Sequence, residues 1–251
     1  MASKIAFITG ATSGIGEATA RLLAENNFHL ILCGRREDRL HKLKAELSHV
    51  TAVQTLSFDV RDKESVAQAV ASLEGAWKNI DVLVNNAGNA HGLAPIQDGD
   101  IDDWDAMIDI NVKGLLYVSK AIMPIMIDKG EGHIVNIGSI AGKEVYPNGN
   151  VYCASKHAVD AINNGMRLDL NQHGIKVTVI NPGLVETEFS LVRFKGDETR
   201  AEGIYQGFEA LQAKDIAETI LFVVTRPKHV NISDMVVFPT AQASSTMVNK
   251  Q

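Results

Sequence analysis

The sequence contains few of the residues that staple or stiffen small proteins. Of its 251 residues, two are cysteine and six are proline. Cys33 and Cys153 stand far apart and show no metal-ligand spacing, which argues against a disulfide scaffold and against a metal site. A chain of this length buries enough surface to fold without such links. The scarce cysteines therefore predict a reducing compartment.

An excess of basic residues and a long apolar run are also lacking. The net charge is −6 at pH 7, whereas nucleic acids and anionic membranes require a basic face. No apolar run is expected to be long enough to cross a bilayer, and the N-terminus shows no charged-then-apolar signal pattern. We expect a cytoplasmic protein whose partners include neither nucleic acid nor membrane.

The sequence does show a regular alternation of two patterns. Short runs of Val, Ile and Leu without polar alternation are typical of parallel strands that are covered on both faces. Such runs fall at 5–9, 30–33, 55–58, 82–84, 134–137, 177–180 and 235–238. Helical periodicity falls between them, at 15–27, 36–48, 62–78, 102–128, 151–173 and 214–226. The alternation predicts an α/β fold with a doubly wound, seven-stranded parallel sheet and helices on both faces.

The chain is predicted to form one domain over residues 1–251, since we find no linker, repeat or low-complexity segment. The one long irregular stretch is 184–208, between the sixth strand and the last helix. Long loops in compact domains usually serve as lids or binding loops. We therefore expect 184–208 to be a substrate-binding flap.

A glycine cluster follows the first predicted strand. Its sequence is Gly10-Ala11-Thr12-Ser13-Gly14-Ile15-Gly16, and it opens a helix. Glycines allow a sharp turn and close approach to a pyrophosphate, while the free N–H groups at the helix start favour an anion. The G-x3-G-x-G spacing differs from the general G-x-G-x-x-G fingerprint, and an ordinary strand–helix turn is the alternative. Its place on the first βα turn favours nucleotide binding.

The residues after the second strand indicate which nucleotide binds. A NAD site places an acidic residue here, about 20 residues past the glycines, to hold the ribose hydroxyls. This sequence has Gly34-Arg35-Arg36 instead. Two guanidinium groups suit a 2′-phosphate, although both could simply be solvated charges at the start of the next helix. The sequence predicts NADP as the cofactor.

Further motifs occur in order along the chain. Asp59-Val60 follows the third strand, a turn of the NNAG type (Asn85-Asn86-Ala87-Gly88) follows the fourth, and Pro182-Gly183-x-Val185-x-Thr187 follows the sixth, with Asn111, Ser139, Tyr152 and Lys156 between the last two. Together with the glycine cluster, these residues resemble the short-chain dehydrogenase/reductase family over essentially the whole chain. The resemblance implies a Rossmann fold with strand order 3-2-1-4-5-6-7 and a catalytic tetrad of Asn111, Ser139, Tyr152 and Lys156. It also implies that Asp59-Val60 contacts the adenine and that the segment from Pro182 to Thr187 holds the nicotinamide carboxamide.

Tyr152 and Lys156 are four residues apart, so they share one face of a helix. An ordinary tyrosine pKa of about 10 is too high for efficient proton transfer near neutral pH. An ammonium about 6 Å away favours the phenolate by roughly 2–3 kcal/mol, so we expect a lowered Tyr152 pKa. The resemblance implies that Lys156 also binds the nicotinamide ribose.

Ser139 follows the fifth strand, at the sheet edge where open α/β folds bind ligands, so its hydroxyl can hold the substrate oxygen. Asn111 lies in the 102–128 helix, and the resemblance implies that it supports a water link from the lysine to solvent. Taken singly, either residue could be an ordinary capping or core residue. Their register with the tyrosine and the lysine favours catalysis.

The segment from Thr187 to Asp197 resembles NADP-dependent enzymes that oxidise 3-hydroxy acids such as serine and allo-threonine. Arg193, with Lys195, could clamp a substrate carboxylate; solvated loop charges are the alternative. We therefore expect hydride transfer between NADP(H) and a 3-hydroxy acid such as L-serine, L-allo-threonine or 3-hydroxypropionate. Ser139, Tyr152 and Arg193 are the predicted substrate-binding residues.

Two other functions remain open from the sequence. The same chemistry could act on a ketone, a sugar or a 3-oxoacyl thioester, although an acyl-carrier partner would want a basic surface near the site mouth. A non-catalytic NADPH-sensing regulator is the alternative from another class, but such proteins typically lose the tyrosine or the lysine. The resemblance further implies subunit contacts through helices 102–128 and 151–173, so we expect a homotetramer.

Overall fold

The predicted parallel sheet is present in the computed structural model, which describes residues 3–251. Seven strands pair in the order β3-β2-β1-β4-β5-β6-β9, all parallel. The predicted order is confirmed, and the seventh member is β9 because two short strands precede it. The strands are β1 (Lys4–Thr9), β2 (Phe28–Gly34), β3 (Val53–Ser57), β4 (Ile80–Asn85), β5 (Gly132–Ile137), β6 (Ile175–Pro182), β7 (Val185–Glu186), β8 (Leu211–Gln212) and β9 (Asp234–Val237).

Helices cover both faces of the sheet, and each face has its own apolar core. One core forms under α1, α2 and α9, and the other forms under α3, α5 and α6. The helices are α1 (Gly14–Glu25), α2 (Glu37–Leu47), α3 (Lys63–Ala71), α4 (Ile101–Ile108), α5 (Leu115–Lys129), α6 (Asn150–Leu170), α7 (Phe189–Arg193), α8 (Glu198–Gly203) and α9 (Ala213–Val224). Near-continuous burial along β1, β2 and β4 to β6 follows from this double cover.

Two predicted helices differ from the observed ones. The 62–78 helix ends at Ala71: the Ser72 hydroxyl donates to the Ala69 carbonyl at 2.8 Å, and Gly75 takes a left-handed φ of +55°. The 102–128 helix contains a π-helical turn, Asp109–Gly114, between α4 and α5. Such turns insert an extra residue and recur at functional sites, and this one contains Asn111.

The prediction that 184–208 is irregular is wrong. The segment contains β7, α7 and α8, and β7 pairs in parallel with β8. The start of α8 is capped by Asp197, whose carboxylate accepts from the Arg200 amide at 3.0 Å. Helices of five and six residues are too short to produce a helical period in the sequence, so local capping and tertiary contacts define them instead.

By length and composition alone, the continuous helix Ile101–Lys129 is apolar enough to cross a membrane. The sequence prediction missed this because two lysines interrupt the run. Leu115, Val118, Ile122 and Met126 of this helix are buried in the core against the sheet. Packing between the helix and the sheet therefore accounts for part of its apolar composition, since 39% of the apolar stretch is buried.

Candidate active site

The glycine cluster forms a tight cradle between β1 and α1. A Cβ on Gly16 would lie 2.3 Å from the Gly10 carbonyl oxygen and 2.5 Å from Asn86 Nδ2, which no side chain can tolerate. Gly10 itself has a left-handed φ of +64°. The Asn86 amide donates to the Thr9 carbonyl at 2.9 Å, and the Thr9 hydroxyl accepts from the Asn86 N–H at 3.0 Å. These contacts lock the ends of β1 and β4 side by side.

A cavity of about 610 Å³ runs along the carboxyl edge of the sheet and gathers nearly all the predicted site residues. Gly16 and Asn111 lie behind its wall, buried. The predicted cofactor residues that line the cavity are Gly10, Thr12, Ser13, Gly14, Ile15, Arg35, Arg36, Asp59, Val60, Asn86, Ala87, Gly88, Pro182, Gly183, Val185 and Thr187. Ser139, Tyr152, Lys156 and Arg193 also line it.

The nucleotide end of the cavity is built around Arg36. Its guanidinium donates to the Thr12 hydroxyl at 3.0 and 3.1 Å and to the Ser13 hydroxyl at 2.6 Å. Arg35 is more exposed and lies 3.5 Å from Asp59. Cations, hydroxyls and the helix start converge where a NAD site would hold an acidic residue, so these residues fit a 2′-phosphorylated dinucleotide.

Ser139 is fixed at the end of β5 by its neighbours. Its N–H donates to Asn181 Oδ1 at 3.1 Å, and its hydroxyl accepts from the Ala141 N–H at 3.1 Å. Gly138 makes this approach feasible, because a Cβ there would lie 2.1 Å from Asn181 Oδ1. The hydroxyl therefore holds a defined position at the cavity wall.

Tyr152 and Lys156 are both buried on α6, and the Lys156 ammonium lies 6.0 Å from the Tyr152 ring centroid. Lys156 Nζ donates to the Ile137 carbonyl at 3.0 Å. Burial lowers the pKa of this lysine to about 8. The predicted pair is thus brought together in the predicted geometry.

The expected lowering of the Tyr152 pKa is wrong for the chain on its own. Burial raises the pKa of the phenol well above its ordinary value, and the neighbouring Tyr146 adds to the increase. Arg193 and a hydrogen bond with Ser139 act in the opposite direction but are smaller. The expected lowering took account of the positive charge on the lysine alone. The Tyr152 side chain is only 8% exposed, and the loss of water around its phenol raises the pKa.

Asn111 projects from the π-helical turn toward the chain that follows β4. Its Nδ2 donates to the Asn89 carbonyl at 2.7 Å and to the Ser155 hydroxyl at 3.0 Å, and its Oδ1 accepts from the Asn89 N–H at 2.8 Å. It therefore fixes Asn89, the residue after the NNAG turn, against the helix that carries Tyr152 and Lys156. The water link implied for Asn111 stays a prediction.

Arg193 ends α7 with its guanidinium over the ring of Tyr152. Its Cζ lies 4.9 Å from the Tyr152 ring centroid and 5.5 Å from that of Phe189. Nη2 donates to the Tyr146 hydroxyl at 2.7 Å, while the buried Nε has no hydrogen-bond partner anywhere in residues 3–251. Lys195 instead turns outward, 3.0 Å from an Asp103 carboxylate oxygen.

Residues 4–197 match the family model described as short chain dehydrogenase. The chain belongs to the short-chain dehydrogenase family. This short-chain dehydrogenase is 46% identical over 244 residues to sulfoacetaldehyde reductase 2 of Chromohalobacter salexigens, with 97% of each chain covered. It is 46% identical over 240 residues to the NADP-dependent 3-hydroxy acid dehydrogenase YdfG of Salmonella typhi, covering 95% of this chain and 96% of the relative.

The fold of this short-chain dehydrogenase is similar to that of solved structures. The closed form of serine dehydrogenase complexed with NADP+ superposes with a TM-score of 0.93 at 43% identity, covering 97% of this chain and 98% of that one. Serine dehydrogenase from Escherichia coli superposes with a TM-score of 0.83 at 38% identity, covering 95% and 99%. The predicted family and its single Rossmann sheet are confirmed.

Two other titratable residues of this short-chain dehydrogenase, Cys153 and His133, do not line the cavity. Cys153 is buried beside Tyr152, and burial raises the pKa of its thiol, which opposes nucleophilic use. His133 is buried in β5 next to the Thr178 hydroxyl, and burial lowers its pKa to about 3. In the part of the chain that the structure describes, no cluster of three or more His, Cys, Asp or Glu could hold a metal ion.

Several cavity residues of this short-chain dehydrogenase were not predicted. Tyr146 and Phe189 flank Arg193 at the end of the cavity that contains Ser139, Tyr152 and Lys156, which we call the reaction end. Glu188 binds Arg36 at the nucleotide end. Gln242 and the following tail also line the wall, although they lie 60 residues past the sixth strand. Glu188 and Phe189 lie in the flap segment that resembles the 3-hydroxy acid enzymes, but the sequence assigns none of these residues a contact, so only the folded chain reveals their roles.

Proposed function

We propose that this short-chain dehydrogenase is an NADP(H)-dependent oxidoreductase that interconverts an alcohol and a carbonyl in a small anionic molecule. The proposed substrates are 3-hydroxy acids such as L-serine, L-allo-threonine or 3-hydroxypropionate, the last paired with malonic semialdehyde. The observation that carries this proposal is the Arg193 guanidinium, held over Tyr152 with a buried and unpartnered Nε among the described residues. The relatives that act on 3-hydroxy acids and on serine support it.

The cofactor, when bound, supplies or accepts the hydride. In the proposed reduction, Tyr152 donates its phenolic proton to the substrate oxygen, and the protonated phenol that burial favours suits this direction. The Ser139 hydroxyl donates to the same oxygen while negative charge develops there. The Lys156 ammonium then stabilises the phenolate. In the proposed oxidation, the Tyr152 phenolate takes the single proton of the substrate hydroxyl, while the Ser139 hydroxyl keeps its own proton.

Arg193 is proposed to bind the anionic group of the substrate. A carboxylate beside it would give the buried Nε an acceptor and form charge-assisted hydrogen bonds. Phe189 and Tyr146 flank the guanidinium and restrict water around it, which strengthens the attraction. The Gly92 N–H donates to the Arg193 carbonyl at 3.0 Å. This hydrogen bond joins α7 of the flap to the chain that follows β4.

A sulfonate aldehyde is the second candidate substrate, because sulfoacetaldehyde reductase 2 shares 46% of its residues with this chain. Sulfoacetaldehyde and malonic semialdehyde each carry the anion one methylene away from the aldehyde carbon. The same placement of Arg193 and Tyr152 would serve both molecules. The choice then depends on whether the pocket accommodates three anion oxygens or two.

We further propose that the enzyme is cytoplasmic and assembles as a homotetramer. Both cysteines are unpaired and buried, which suits a reducing compartment. Leu116 on α5 and Leu168 on α6 are exposed apolar side chains on the two helices expected to form subunit contacts. Gel filtration with light scattering checks the assembly, and a monomer at micromolar concentration would contradict it.

Initial rates test the substrate class. NADP+ and NAD+ are compared on L- and D-serine, both threonine diastereomers, 3-hydroxypropionate, 3-hydroxybutyrate and simple alcohols, and NADPH is tested with malonic semialdehyde and sulfoacetaldehyde. We expect turnover confined to NADP(H) and the anionic substrates. Turnover of neutral alcohols without hydroxy acids would leave the cofactor assignment and discard the substrate class.

An Arg193→Ala variant tests the clamp directly. Because a buried charge-assisted contact is lost, we expect kcat/KM for hydroxy acids to fall about 10²-fold, chiefly through KM. The rate for a neutral alcohol should change little. Arg200→Ala is the matched control, since Arg200 stacks on Phe194 of the same flap at 4.3 Å. Equal losses on charged and neutral substrates would contradict the clamp.

A further inference from the structure

Glu188 bridges two arginines across the cofactor cleft. Its Oε2 accepts from Arg36 Nη1 at 2.8 Å, and its Oε1 accepts from Arg39 Nη1 at 2.7 Å. Glu188 directly precedes α7 in the flap, whereas the arginines flank the start of α2, about 150 residues earlier. One carboxylate therefore joins the flap to the element that forms the nucleotide end.

A second contact places the bridge over the cradle. The flap residue Thr187 packs so closely on the glycine loop that a Cβ on Gly14 would lie 3.3 Å from its side chain. Arg36 meanwhile holds the Thr12 and Ser13 hydroxyls on the same loop. Arg36 and Glu188 both line the cavity, so the bridge closes that cavity from the flap side. The flap cannot lift without breaking it.

Of the two arginines in the bridge, Arg39 is the one that is not needed to bind the nucleotide. Arg36 faces the position where a 2′-phosphate would bind, and a phosphate there would share its guanidinium with Glu188. The second Glu188 oxygen is already held by Arg39, whose Nη1 otherwise reaches only the Thr12 carbonyl at 3.4 Å in the described chain. Glu188 can therefore stay fastened to Arg39 while Arg36 serves the phosphate.

We propose that Glu188 and Arg39 are cofactor-retention residues, whose ion pair fastens the flap across bound NADP(H) and slows its release. The proposal rests on the proposed NADP(H) binding and adds two residues to which the sequence analysis assigned no role. Both side chains are about two-fifths exposed, so each contact is screened by water and contributes modestly. We expect an effect of about three- to tenfold on the dissociation rate.

Stopped-flow displacement of NADPH, followed by its fluorescence, measures this rate without turnover. Glu188→Gln and Arg39→Gln should each raise the dissociation rate about three- to tenfold at low salt. The double variant should dissociate no faster than the faster single variant, because both residues belong to one contact. Glu186→Gln is the matched control: Glu186 is exposed on β7 and bonds Gln212, and its rate should equal that of the wild type.

Limited trypsin digestion provides a second measurement. Lys195 and Arg200 lie on the flap, and with NADPH present they should be cut faster in both variants than in the wild type. Unchanged dissociation rates would overturn the proposal. Slower dissociation and tighter binding in Glu188→Gln would also overturn it, because Glu188 would then be a competitor of the phosphate. A wild type that binds no NADPH would overturn the proposed cofactor itself.

Discussion

The two ends of the cleft hold positive charge in opposite ways. At the nucleotide end, Arg36 and Arg39 are partly exposed and both bind the Glu188 carboxylate. At the reaction end, Lys156 is 7% exposed and donates to a backbone carbonyl, while Arg193 donates to a phenol. Within the described residues, neither of these two cations forms an ion pair with an acidic side chain.

This difference in ion pairing suits the nucleotide end to binding and the reaction end to chemistry. Exposed ion pairs are screened by water, so their partners can be exchanged at little cost, as repeated cofactor release requires. Cations without carboxylate partners act strongly on nearby groups when they are buried, as Lys156 is, or half-buried, as Arg193 is, but removing them from water lowers stability. We expect substitutions at the reaction end to change rates steeply and substitutions at the nucleotide end to change cofactor choice and exchange.

The largest effect is expected at the reaction end, from Tyr152→Phe. Loss of the proton donor should lower kcat about 10³-fold, while NADPH affinity measured by fluorescence stays within about threefold, because the nucleotide-end contacts are untouched. Tyr117→Phe, on α5 away from the cavity, is the control. Residual activity above one-tenth would show that another group carries the proton.

At the nucleotide end, we expect the double change Arg35→Gln/Arg36→Gln to lower kcat/KM with NADP+ about 10²-fold, since charge-assisted phosphate contacts are lost. The value with NAD+ should stay within a few-fold, because NAD+ has no 2′-phosphate. Arg21→Gln, which removes an exposed α1 ion pair with Glu17, is the control. Equal decreases in kcat/KM with NADP+ and with NAD+ would mean that the arginines stabilise the loop and do not bind the 2′-phosphate.

The smallest effect concerns the stability cost of the buried lysine. The folded-state pKa of Lys156 is about 8, below the ordinary value of about 10.4 that the unfolded chain retains. Below pH 8 the lysine is charged in both states, so the cost of burying that charge is fully present. As pH rises from about 8 to about 10, the folded state releases its proton first and the cost disappears.

Lys156→Met should therefore raise the free energy of unfolding by about 2–3 kcal/mol at pH 7, and by clearly less at pH 9.5. Urea denaturation at both pH values measures the difference, with exposed Lys42→Met as the control. A variant that is less stable than the wild type at both values would show that the hydrogen bond to the Ile137 carbonyl outweighs the burial cost.

The sequence predicts the sheet because apolar runs indicate strands, and the family resemblance implies the order of those strands. Most of the site is predicted because the motifs fall where the strands end. Parallel strand ends meet at one edge, so Gly10, Asn86, Ser139 and Pro182 converge without further information. The Glu188 bridge could not be predicted, because its partners lie about 150 residues away and no periodic signal links them. The raised Tyr152 pKa depends on burial, which no spacing reveals.

Helix α7 has a consequence for how the two ligands influence each other. It has five residues, about 7 Å of helix, with Glu188 just before it and Arg193 at its end. A rod this short moves as one body, so its nucleotide-end and reaction-end contacts form or break together. Thermodynamic linkage makes the influence mutual. If bound NADP(H) increases the affinity for an anionic substrate by some factor, the bound substrate increases the affinity for NADP(H) by the same factor. On the two proposed binding modes, NADP(H) and an anionic substrate would therefore bind cooperatively, although the 2′-phosphate and the substrate anion do not touch each other.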